Sequence, residues 1–188
     1  GGKDEVLRFI EWTDQLLASG TVQHVVFVAG NHELSLQLTA KHPRVRQCQE
    51  ELKRALTDRP NVHYLEDSPC EVLGLQFYGS PWTKLCGRDW AFQLPDAPEG
   101  LGAKWALIPE RVDVLVTRQP PLGQRDQEDC KLVRSSQTLQ RRVAEVRPLV
   151  HVFGHIHAGR GLSHAGSTTF INAAVCDDDY KAVQRPIV

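Results

Sequence analysis

Three short apolar runs that each stop at a polar cluster constrain this chain more than any other feature. His24 to Ala29 leads to Gly30-Asn31-His32-Glu33, Val112 to Thr117 leads to Arg118, and Leu149 to Phe153 leads to Gly154-His155-Ile156-His157. Short runs rich in β-branched and aromatic residues read as strands, and near-continuous hydrophobicity suits strands covered on both faces. Asn61 to Leu65, Val72 to Tyr78 and Thr168 to Asn172 read as further strands. Helical spacing of apolar residues recurs between them. Val6, Phe9, Ile10, Leu16 and Leu17 share a face over Glu5 to Ala18, before a stop at Gly20. Val45 to Leu56 and Ser135 to Val146 read as helices as well, the latter with Leu139, Val143 and Val146 on one side. The stretch from Gly79 to Gly102, rich in Gly, Pro and Trp, predicts a long irregular segment. This alternation gives an α/β or α+β fold with a mostly buried sheet. A length of 188 residues, 41% of them hydrophobic, predicts one domain over residues 1–188.

Charge and cysteine usage exclude several classes. Lys and Arg number 22 against 23 Asp and Glu, a formal charge of -1, so the basic field that holds long nucleic acids or membrane surfaces is absent. The longest apolar run, residues 25–30, falls far short of the roughly 20 residues of a membrane span. The first residues carry charge and no apolar stretch, so no secretory signal is read there. Cys48, Cys70, Cys86, Cys130 and Cys176 are scattered and never form a CxxC pair, which reads as free thiols in a reduced, intracellular, cytoplasmic setting.

Ligands of open α/β sheets bind beyond the carboxyl ends of the strands, so the three polar clusters are expected to converge on one pocket. His155 and His157 are two residues apart and would face opposite ways on a regular strand. A turn led by Gly154 lets both imidazoles approach one site. Imidazole nitrogens and the neutral oxygen of Asn31 are donors that divalent metals accept. His24, His42, His63, His151 and His164 fall outside these clusters and take no role. Trp82, Trp90 and Trp105 read as core or pocket wall, Asp177-Asp178-Asp179 as a solvated turn, and Cys176 has no base positioned by sequence.

The ordered set Gly30-Asn31-His32-Glu33, Val112 to Thr117 followed by Pro120-Pro121, and Gly154-His155-Ile156-His157 resembles the later motifs of calcineurin-like metallophosphoesterases. Tyr78-Gly79-Ser80-Pro81-Trp82, Trp90-Ala91-Phe92, Trp105 with Ile108-Pro109, Pro120-Pro121-Leu122-Gly123 with Asp126, and His151-Val152-Phe153-Gly154 extend the likeness over nearly the whole chain. They narrow it to the metallophosphoesterase domain-containing subgroup, which has phosphodiesterase activity. The resemblance implies a β-sandwich of two mixed sheets flanked by helices. It also implies two divalent metal ions (Mn, Fe, Zn or Mg), about 3.5 to 4 Å apart, that activate a water for attack on a phosphodiester such as a cyclic nucleotide. By the same resemblance Asn31 and His155 would ligate one ion and His157 the other. His32 would be the catalytic residue that orients the phosphate or protonates the leaving oxygen, with Glu33 holding it.

Two departures from the family pattern shape the expectation. The family's opening segments, a strand with Asp-x-His and a Gly-Asp turn, have no counterpart in this sequence, which therefore reads as N-terminally truncated. Arg118 stands where the family has a metal-binding histidine, and a guanidinium has no lone pair to give. The remaining donors are neutral, so impaired catalysis is expected. Arg118 and His32 would then hold the phosphate of a small phosphodiester or nucleotide in a catalytically inactive binding module. The bland alternative for Arg118 is a pairing with a nearby carboxylate such as Asp126.

Overall fold

The computed structural model describes residues 2–37, 42–87, 89–126, 135–177 and 179–187. Cys130 and Asp178 lie outside the described residues. The chain opens with α1 (Lys3–Ala18), β1 (Val25–Val28), α2 (Pro43–Thr57) and β2 (Val62–Leu65). It continues through β3 (Ser68–Val72), β4 (Leu75–Ser80), β5 (Thr83–Lys84) and β6 (Gln93–Leu94) to a wide helical turn over Pro98–Gly102 and α3 (Ala103–Trp105). It closes with β7 (Val114–Thr117), α4 (Gln137–Val146), β8 (Val150–Phe153), β9 (Gly161–Ala165) and β10 (Thr168–Asn172). No described helix is long and apolar enough to cross a membrane.

A six-stranded mixed sheet in the order β3-β4-β7-β8-β10-β9 carries the larger core. The β4, β7, β8 and β10 strands run parallel, while β3 and β9 are antiparallel edges. Tyr78, Leu115, Phe153 and Phe170 from this sheet pack with Trp105, Ile108 and Leu139. The β1 and β2 strands form a separate parallel pair whose core includes Val6, Leu52, Leu56, Tyr64 and Phe92. The two sheets meet at Gly79, where an added Cβ would fall 2.3 Å from the Cβ of Leu65 and 2.8 Å from Val28. Trp82 packs against both cores, and Asp67 fixes that joint by accepting from Trp82 Nε1 and Lys104 Nζ, each at 2.8 Å.

Two sequence expectations change, and one strand is added. The run from Val72 to Tyr78 is no single strand but a hairpin, with Leu73 at φ 52° and Gly74 at φ 79° between β3 and β4. Two consecutive left-handed residues are what a tight hairpin turn needs, and only Gly74 announces it. The added strand is β9, which carries no strong apolar run and pairs along β10. The β1 strand is not covered on both faces. All four of its residues are half-buried, because among the described residues it pairs with β2 alone and borders a cavity of about 700 Å3 lined by Val6, Phe9, Phe27, Val28 and Leu56.

Candidate functional site

The chain leaves β1 through a turn that closes on itself. Glu33 N donates to Gly30 O at 3.1 Å, and Gly30 N donates to the Glu33 carboxylate at 2.7 Å. That turn buries Asn31, 3% exposed, whose carbonyl accepts from Ala91 N at 2.8 Å. Arg118 enters from the end of β7. Its Nε donates to Asn31 Oδ1 at 3.0 Å, and its stem lies so close to Gly30 that a Cβ there would sit 2.4 Å from Arg118 Cδ and Nε. Glycine at position 30 is what admits the guanidinium. Among the described residues no acceptor engages its two amino groups. The pairing with Asp126 does not form, since that carboxylate accepts from Gly123 N at 2.8 Å.

The turn after β8 joins the same place. Gly154 N donates to Arg118 O at 3.2 Å, and Gly154 faces Arg118 Nη1. His155 is 9% exposed and adopts φ 71°, a left-handed conformation that costs a residue with a Cβ about 1–3 kcal/mol and collects at functional sites. Asn172, fully buried at the end of β10, holds this turn by donating from Nδ2 to Ile156 O at 2.8 Å and to Arg125 O at 3.1 Å. Arg125 Nε in turn donates to Gly159 O at 3.0 Å.

Asn31, His32, Arg118, His155 and His157 are thus gathered by three strand ends, as the sequence pattern anticipates. His32 is half-buried with its ring 4.2 Å from Trp90. Burial first, and the Arg118 charge after it, hold its imidazole below the usual range, so it is mainly neutral at pH 7. Burial likewise lowers Arg118 from its ordinary value, opposed by the nearby Glu33 carboxylate, but a guanidinium stays charged.

Sequence reasoning missed three contributors. Tyr180 lies with its ring 5.3 Å from that of His32 and 5.7 Å from that of His157. Asn172 positions the second histidine turn, and no local pattern marks it. Cys86 Sγ lies 3.8 Å from Asn31 Nδ2 and donates to Gln93 Oε1 at 3.2 Å, an approach set by a loop without periodicity. Of the three tryptophans read as core or pocket wall, Trp82 and Trp105 are core and Trp90 is exposed pocket wall.

The donors present do not fit two divalent metals. Asn31 Oδ1 is already taken by Arg118, and among the described residues no three His, Cys, Asp or Glu side chains are grouped to hold an ion. What the arrangement offers chemically is a fixed guanidinium whose two amino groups are uncommitted among the described residues, flanked by histidines.

No family model matches the chain. The human and mouse proteins named metallophosphoesterase domain-containing protein 1 are each 38% identical over all of this chain, which spans 60% of their length. A UPF0046 protein of Caenorhabditis elegans is 34% identical over the whole chain and 67% of its own length. One solved structure, 17% identical, superposes on 91% of the chain and 65% of its own with a TM-score of 0.59, a likeness of fold.

Proposed function

Because the chain belongs to the metallophosphoesterase domain-containing family, we propose that its strand-end pocket binds the phosphoryl group of a small phosphodiester or nucleotide. The contact that carries this reading is Arg118 Nε on Asn31 Oδ1. It fixes a half-buried cation at the meeting point of the three turns while leaving two amino groups for an anion. Phosphate oxygens match that fork, and charge-assisted pairs of this kind are roughly twice as strong as neutral hydrogen bonds. His32 and His157 would flank the bound oxygens. Neutral His32 is suited to hydrogen bonding with the ester, and a bound phosphate would raise its proton affinity.

Family membership favours a second reading, a phosphodiesterase acting on substrates such as cyclic nucleotides. Asn31, His155 and His157 would then serve divalent metals such as manganese, and Asn31 would have to be released from Arg118. The donor set opposes that reading, so the binding function is preferred and hydrolysis is expected to be impaired. A reduced cytoplasmic setting fits the four described free cysteines.

Titration calorimetry at neutral pH tests both readings. Inorganic phosphate and AMP are expected to bind, and Arg118→Ala is expected to weaken both at least about tenfold. Unchanged affinity in that variant would remove the proposal. Manganese titrated into the same protein should give no tight site. Two sites of micromolar affinity that weaken in His155→Ala would favour the hydrolase instead.

A further inference from the structure

Tyr180 has features that packing does not explain. The residue is 63% exposed and so buries little, yet its ring stands edge-on to two imidazoles from different turns, at 69° to His32 and 86° to His157. Its backbone sits at φ 60°, which costs a bulky residue free energy unless the surroundings impose it. The loop does impose it. Cys176 and Ala182 form an antiparallel bridge, Asp177 N donates to Lys181 O, and Tyr180 N donates to Asp177 O, both at 3.0 Å. Asp177 Oδ1 accepts from Asp179 N at 3.0 Å and from Lys181 N at 2.9 Å. Asp177, at the head of a run that reads as a solvated turn, is therefore the brace that presents this ring. Among the described residues nothing shares a hydrogen bond with the phenol oxygen, and the phenol is near enough to bear on the charge of Arg118.

We propose that Tyr180 is a phosphate-binding residue, its phenol O–H donating to a non-bridging oxygen of the phosphoryl group that Arg118 holds between His32 and His157. The inference rests on the phosphoester reading and adds to it a fourth donor from a segment outside the three strand ends. A phenol is well matched to this place. It donates one hydrogen bond without adding charge, and its ring closes the side of the pocket between the two histidines. A ligand bound there is held by groups from β1, β7, β8 and the chain after β10.

Calorimetric titration of inorganic phosphate into the wild-type chain, Tyr180→Phe and Arg118→Ala decides the matter. Tyr180→Phe keeps the ring and should keep the thermal midpoint, since an exposed hydroxyl is all that is lost. Its phosphate affinity is expected to fall about three- to tenfold, as for the loss of one hydrogen bond. Wild-type affinity in Tyr180→Phe, with binding lost in Arg118→Ala, would overturn the role of Tyr180 and leave the phosphoester pocket standing. That result would hold also if AMP alone were weakened by Tyr180→Ala, because the ring would then be stacking on a base. No phosphate binding by the wild-type chain would overturn both.

Discussion

His151 shows how a single side chain can set the acid limit of this fold. It is completely buried, with its ring 5.0 Å from Phe153 and 5.8 Å from Phe170. The Thr117 hydroxyl donates to Gln119 O at 2.8 Å, so at the 2.8 Å contact between Thr117 Oγ1 and His151 Nε2 the imidazole must donate. Among the described residues the Nδ1 lone pair faces no partner, and burial pushes the pKa down to about 3. A proton added there would be a buried charge without an acceptor. The folded pKa lies below the unfolded value near 6.5, so the unfolded chain takes up the proton first as pH falls. Stability from this residue is full above about pH 6.5 and is lost progressively towards pH 3. Urea unfolding should show a loss on the order of 2 kcal/mol between pH 7 and pH 5. In His151→Gln, which keeps an N–H for Thr117 and cannot titrate, that loss should shrink; an equal pH dependence would assign it to other groups.

Among the elements, the strands that end at the site were legible because they are apolar runs cut off by chemistry-bearing residues, and α1, α2 and α4 because their apolar residues repeat at helical spacing. The hairpin at Leu73-Gly74 was not, since Val72 and Leu75 continue one apolar stretch across a turn that only the left-handed backbone reveals. The site divided the same way. Asn31, His32, Arg118, His155 and His157 stand in the motifs, whereas Asn172 and Tyr180 reach them from the far end of the chain, where only three-dimensional proximity gives them meaning. Asn172 makes this testable. It ties the end of β10 to the Ile156 carbonyl between the two histidines, and its Oδ1 accepts from Ala174 N at 3.1 Å. Asn172→Leu keeps similar bulk but removes the hydrogen bonds to Ile156 O and Arg125 O and the acceptor of Ala174 N, leaving Ile156 O with Gly159 N alone at 3.2 Å, at a cost of about 2 kcal/mol in chemical unfolding. Phosphate affinity should fall with it, because His157 loses its support. A destabilised variant with undiminished affinity would show that the turn keeps its shape without Asn172.

At the scale of the molecule, the pocket is built across two sheets of unequal solidity. Arg118 and the Gly154 turn grow from β7 and β8, each paired on both sides, with Leu115 and Phe153 almost wholly buried. Asn31 and His32 grow from β1, half-buried throughout, paired on one side among the described residues and bordered by the cavity of about 700 Å3. Local opening free energies follow buried contacts and shielded backbone hydrogen bonds, so the small sheet should open before the large one. Hydrogen exchange followed by mass spectrometry should find the amides of β1 and β2 exchanging at least about tenfold faster than those of β7 and β8, a gap of about 1.4 kcal/mol or more. Phosphate would narrow the gap. Bound between Arg118 on the solid sheet and His32 on the loose one, it ties the two together and stabilises only the state in which both are formed. Uniform protection without ligand would mean that the Gly79 contact and the Trp82-Asp67-Lys104 joint already make the two sheets one cooperative unit. The pocket would then be preformed, and phosphate would raise protection evenly across both sheets.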